Sequence, residues 1–157
     1  MTTGSRALIA VALGLLVLAL VLRARSHVHA GAIVADPTRT PGVLNAAVTQ
    51  STIRATICKR GWTRTVRPPV DYTNALKRKQ MRMYDEHGPP SAYQEDHLIS
   101  LELGGDPTDP RNLWPEPYPR ASAVDQVENE LNAQVCSGDL TLAAAQIKEA
   151  ELKHGQG

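Results

Sequence analysis

Asp96 and His97 are adjacent in the chain, and Gly104-Gly105 and then Asn112 follow them. A carboxylate beside an imidazole lets one group hold a divalent ion while its neighbour takes a proton from water. Hydrolysis of a phosphodiester needs both, so the order reads as a nuclease-type metal site. Taken singly, each residue has a plainer reading: His97 as a strand histidine, Asp96 as a loop or cap carboxylate, Asn112 as a turn former after Pro110-Arg111.

The elements that must position this pair are legible in outline. After Gly88-Pro89-Pro90, alternation predicts a strand with His97, Ile99, Leu101 and Leu103 on one face and Asp96, Leu98, Ser100 and Glu102 on the other. Gly104-Gly105 turns the chain, and two Asp-Pro pairs stiffen the return to Asn112-Leu113-Trp114, where Trp114 is expected in the core. Val124, Val127, Leu131 and Val135 recur at helical spacing over 121–136, Gly138 ends that helix, and Thr141 caps a last one to about residue 152. Upstream, the β-branched content of 49–56 favours an extended segment. Gly61 turns the chain, Pro68-Pro69 block regular structure, and Asp71 or Thr73 caps a helix over 74 to about 84.

Length and charge bound the rest. After subtracting a hydrophobic leader and a Pro- and Gly-containing tether at 33–43, one compact domain of about 110 to 120 residues remains, 44–157. Phe is absent, so two Trp and four Tyr must supply much of the large apolar volume. The net charge of +1 hides a polarised chain: residues 54–82 carry nine Lys or Arg against the single Asp71, whereas 85–157 carry four against fourteen acids. Arg60, Arg64, Arg67, Lys77, Arg78 and Lys79 are phosphate-contact candidates, with Trp62 and Tyr72 interleaved and able to stack on bases; a solvated surface and a core Trp62 are the plainer alternatives.

The run 7–22 is sixteen residues without a polar side chain behind Arg6. It makes 1–32 a signal peptide or, given Arg23 and Arg25 after the run, a membrane anchor. Either role exports the chain. Cys58 and Cys136 lack CxxC spacing, which argues against a zinc knuckle and, after export, for a disulfide; two buried free thiols are the alternative.

Several separated motifs carry a resemblance: Thr-Ile-Cys at 56–58, Gly-Trp-Thr-Arg-Thr-Val-Arg-Pro-Pro at 61–69, Tyr-Thr-Asn-Ala-Leu-Lys-Arg at 72–78, Glu-Asp-His-Leu-Ile-Ser-Leu-Glu-Leu-Gly-Gly at 95–105, Asn-Leu-Trp-Pro-Glu-Pro at 112–117 and Val-Cys-Ser-Gly at 135–138. In this order they resemble a family of exported bacterial HNH, or ββα-metal, nucleases. The resemblance implies a small α+β domain whose two strands and helix hold a metal, flanked by further helices. It implies Asp96 as metal ligand, His97 as general base, and Asn112 either pinning the loop or reaching the metal. A further ligand comes from the helix, where the choices are Asp125, then Glu128 or Asn129. Relatives commonly carry Lys before that Asp; Val124 stands here.

The expected cofactor is Mg²⁺, with Mn²⁺ or Zn²⁺ as alternatives, and the expected partner is DNA, with RNA as the alternative. No helix-turn-helix, finger or repeat is present to read base edges, so sequence specificity is expected to be low. The rival readings are a fold that binds nucleic acid without chemistry and a membrane-tethered structural domain.

Overall fold

The structure, a computed structural model, describes residues 34–155; the leader expected at 1–32 lies outside them. Among the described residues no helix is long and apolar enough to cross a membrane. Among the described residues, four α-helices and a two-stranded sheet make a small α+β domain. In chain order they are α1 (Trp62–Val66), α2 (Val70–Met83), β1 (Tyr93–His97), β2 (Leu113–Pro117), α3 (Tyr118–Ser137) and α4 (Leu142–Lys153).

The strands pair antiparallel, with Asp96 opposite Trp114 and His97 opposite Leu113. β2 passes directly into α3, so the helix that follows the returning strand is anchored at the sheet. Gly138, at φ 93, ends α3, and the Thr141 hydroxyl caps α4 by accepting from the Ala144 N–H. Both helix boundaries follow the local signals.

The strand expected beyond residue 97 is not formed. From Leu98 the chain bends into a 3-10 turn at Leu101–Leu103, although Leu98, Ile99, Leu101 and Leu103 are all buried. The reason is where the backbone groups go. The Asn112 carboxamide takes both the Ile99 N–H (2.9 Å) and the Ile99 carbonyl (3.0 Å), and the Glu149 carboxylate accepts the Ser100 N–H (2.9 Å). The Ile99 groups and the Ser100 N–H that a continuing strand would pair are thus already taken.

Four other expectations are revised. The threonine-rich segment 49–56 forms turns and a 3-10 helix at Ile53–Ala55, because the Thr52 and Thr56 hydroxyls donate to the Ala47 and Thr52 carbonyls (2.8 Å each) and satisfy the chain locally. Helix α2 begins at Val70, directly after Pro69, with neither Asp71 nor Thr73 acting as a side-chain cap, and α1 follows Gly61 (φ 82) where only a turn was expected. Among the aromatics, Trp114 and Tyr93 are buried while Tyr72 and Tyr118 are exposed, so aliphatic side chains carry more of the core than the aromatic count implied.

The tether assigned to 33–43 packs against the domain from residue 35 onward. Ala35 and Thr40 are each 1% exposed, the Ala35 N–H donates to the Lys153 carbonyl (3.0 Å), and the Gly42 N–H donates to that of Arg111 (3.1 Å). Its polar and Pro residues have no apolar period because hydrogen bonds hold the strap in place.

The main apolar cluster joins Val48, Ile53 and Ile57 to Ile99, Leu103, Leu131, Val135, Leu142 and Ala145, with Cys58 packed on its edge. There Cys58 and Cys136 are disulfide-bonded, their Cα atoms 5.5 Å apart. Gly105 lies close against the backbone of Ile99. A Cβ on it would meet the Ile99 carbonyl oxygen at 1.8 Å and Asn112 Nδ2 at 2.5 Å. Gly105→Ala is therefore expected to cost about 3 kcal/mol, the upper range for overpacking, read as a shift of the urea midpoint; a change under about 0.5 kcal/mol would show that the loop is not built on this contact.

Candidate metal centre

β1 delivers Asp96 and His97 to a hollow of about 390 Å³, and α3 delivers Asp125 and Glu128, three residues apart and so on one helix face. Asp96, Asp125 and Glu128 each place a carboxylate oxygen within 4.8 Å of the others. Glu95 and Glu102 also line this hollow, and both carboxylate oxygens of Glu95 and Oε2 of Glu102 are buried without a hydrogen-bond partner among the described residues. The converging carboxylate oxygens of Asp96, Asp125 and Glu128 are hard donors that suit a hard divalent ion such as Mg²⁺ or Mn²⁺ rather than a thiolate-seeking ion.

On α3, Asp125 and Glu128 belong to this carboxylate group. Asn129 lines the same hollow, and its Nδ2 donates to the Asp125 carbonyl (2.6 Å). Asn112 is fully buried and holds the loop: besides Ile99 it reaches the Asp106 carbonyl (2.9 Å). Of the two roles open to it, the geometry is that of a pin.

His97 is 6% exposed and its Nε2 lies 3.1 Å from the Pro107 carbonyl oxygen. A neutral ring that donates Nε2–H there presents Nδ1 as its free basic nitrogen. Burial pulls the imidazole below its ordinary 6.5, outweighing the Pro107 carbonyl and Asp96, which favour the charged form.

Beneath the carboxylates lies a feature that the sequence reading passed over. Lys153, at the last turn of α4, is fully buried. Its ammonium donates to Asp96 Oδ2 (2.7 Å), Glu128 Oε1 (2.5 Å) and the His97 carbonyl (2.5 Å), and lies 3.3 Å from Glu149. Burial alone would raise Asp96, but Lys153, helped by a Gln94 hydrogen bond, brings its carboxyl below the ordinary range. One ammonium cannot neutralise every acid here. Burial pushes Glu149 up to about 8, and burial with the nearby Asp96 charge pushes Glu116 up to about 8 as well. Glu95 is likewise raised to about 8, mainly by burial, against the pull of Lys77. The i,i+4 spacing of Glu149 and Lys153 is the one signal of this pairing along the chain.

The basic candidates separate. Arg67 is exposed and lines the hollow, where its charge acts on Glu102, Asp125 and His97. Arg60 and Trp62 line a second hollow of about 290 Å³ that shares Glu102 with the first. Lys77 donates to the Tyr93 carbonyl (2.9 Å) and so is partly structural. Arg64, Arg78 and Lys79 are exposed; Lys79 lines a small hollow away from Asp96. Of the stacking candidates, Trp62 packs against the core, and the Tyr72 hydroxyl donates to the Thr108 carbonyl. Val124 is 4% exposed and belongs to the buried face of α3.

Compared with known proteins, the chain matches no family model, no curated protein and no solved structure.

Proposed function

We propose that this protein is a metal-dependent endonuclease of low sequence specificity that hydrolyses phosphodiester bonds in DNA, in the manner of the HNH nucleases that its motifs resemble. The observation that carries the reading is the convergence of Asp96, Asp125 and Glu128 beside a buried histidine with a free Nδ1. A divalent ion bound there would stabilise charge on the scissile phosphate and its leaving oxygen. His97 Nδ1 takes the proton of the attacking water, and the Pro107 carbonyl holds the ring in the tautomer that keeps Nδ1 free. Asn112 keeps the 98–112 loop in the shape that sets Pro107 against the ring. Arg67, at the rim, offers the backbone phosphate a guanidinium that can bind two oxygens. The disulfide accords with an exported protein.

A specific observation favours a second reading, a nucleic-acid-binding domain without chemistry: the Lys153 ammonium already engages two of the three candidate ligands. Supercoiled plasmid incubated with the protein and Mg²⁺ or Mn²⁺ separates the two. Nicking that requires the ion and stops with EDTA is the expected result. DNA binding with no nicking under either ion would establish the second reading, and nicking indifferent to EDTA would remove the metal from the first.

A further inference from the structure

We propose that Lys153 is a positioning residue of the metal centre, an internal cation that braces Asp96 and Glu128 and holds the affinity of the site for divalent ions down. The inference rests on the metal reading above and deepens it.

The geometry begins at the end of α4. The Ala35 N–H donates to the Lys153 carbonyl (3.0 Å), and the next residue, His154, donates through Nε2 to the Thr40 carbonyl (3.0 Å). Glu149, one turn back, accepts the Ser100 N–H with both oxygens (2.9 and 3.0 Å). The turn that carries Lys153 is therefore fixed from the N-terminal strap on one side and from the loop after β1 on the other. A lysine so held cannot withdraw its ammonium to solvent without breaking these contacts, and at 0% exposure its charge is stabilised by the acids around it.

Each ligand carboxylate has two oxygens, and Lys153 takes one from each of two: Oδ2 of Asp96 and Oε1 of Glu128. Oδ1 of Asp96, steadied by Gln94 Nε2 at 3.0 Å, and Oε2 of Glu128 are left for another cation. Two effects follow. The carboxylates are oriented before an ion arrives, and an incoming ion meets a like charge within one carboxylate's width. Inside a protein that repulsion is much less screened than in water. Asp125 has no direct contact with Lys153 among those observed, so the lysine braces two ligands and reaches the third only through its charge.

Isothermal titration with Mn²⁺ on the folded, disulfide-bonded protein reads the effect without reference to catalysis. Lys153→Met is expected to bind Mn²⁺ at least tenfold more tightly than wild type, and Lys153→Arg within threefold of it. The apo Lys153→Met protein should melt lower than wild type, and saturating Mn²⁺ should raise its Tm by more than it raises the wild-type Tm. Equal or weaker binding by Lys153→Met overturns the proposal, as does Lys153→Arg matching a tightened Lys153→Met. If neither wild type nor variant binds Mn²⁺ at millimolar concentration, the metal reading itself falls. Should Lys153→Met fail to fold, the wild type answers instead. The ¹⁵N resonance of the Lys153 ammonium should shift when Mg²⁺ saturates the protein, and a resonance that stays still while Mg²⁺ binds would overturn the inference.

Discussion

His97→Ala is expected to slow Mg²⁺- or Mn²⁺-dependent plasmid nicking by about 100- to 10 000-fold, the range general-base removal usually costs. The far-UV spectrum should be retained, because the ring makes one hydrogen bond, to the Pro107 carbonyl, and the neighbouring strand is held by its pairing with β2. Loss of rate with unchanged Mn²⁺ affinity would place the defect in proton transfer rather than in metal holding. The pH profile checks the same role from another side. Burial depresses the imidazole below 6.5, and a bound divalent ion at Asp96 would push it the same way, so the base is unprotonated throughout the neutral range. Wild-type rate should therefore fall as the solution becomes acidic enough to protonate His97. Equal nicking by wild type and His97→Ala would remove the histidine from the chemistry.

The Cys58–Cys136 bridge carries the second large effect. Removing it by Cys58→Ser with Cys136→Ser is expected to cost about 4.5 kcal/mol in the chain-entropy account, since it closes a loop of 78 residues. For a domain near this size that is a drop in Tm of roughly 10 to 20 °C, and it approaches the whole stability of a small domain. The bridge also ties the segment leading into α1 to the last turn of α3, with Cys58 against the main apolar cluster, so its loss opens the core as well as loosening the unfolded chain's constraint. Denaturant unfolding with and without reductant measures it. A loss under about 1 kcal/mol would mean that the cluster of Ile53, Ile57, Leu131 and Val135 holds these segments together unaided.

On the proposed reading, the two effects are separable: His97 concerns the reaction and the bridge concerns the frame. Helix α3 supports both. Asp125 and Glu128 face the hollow from one face of α3, while Val124, Leu131 and Val135 of the same helix are buried. A single 20-residue helix thus presents carboxylates to the centre and apolar groups to the core.

What the amino-acid sequence determined by itself was local. Gly138 had to stop a helix because a left-handed turn costs glycine little, and Thr141 could cap the next because its hydroxyl reaches an N–H three residues on. The cysteine pairing was legible because two thiols offer one intramolecular partnership. What the tertiary structure decided came from contacts with no local signature. β1 stops at His97 because Asn112, thirteen residues away, captures the Ile99 backbone, and Asp96 is balanced by an ammonium 57 residues downstream. A buried charge must find its counter-charge wherever the fold brings one, and no pattern of neighbours along the chain encodes that meeting.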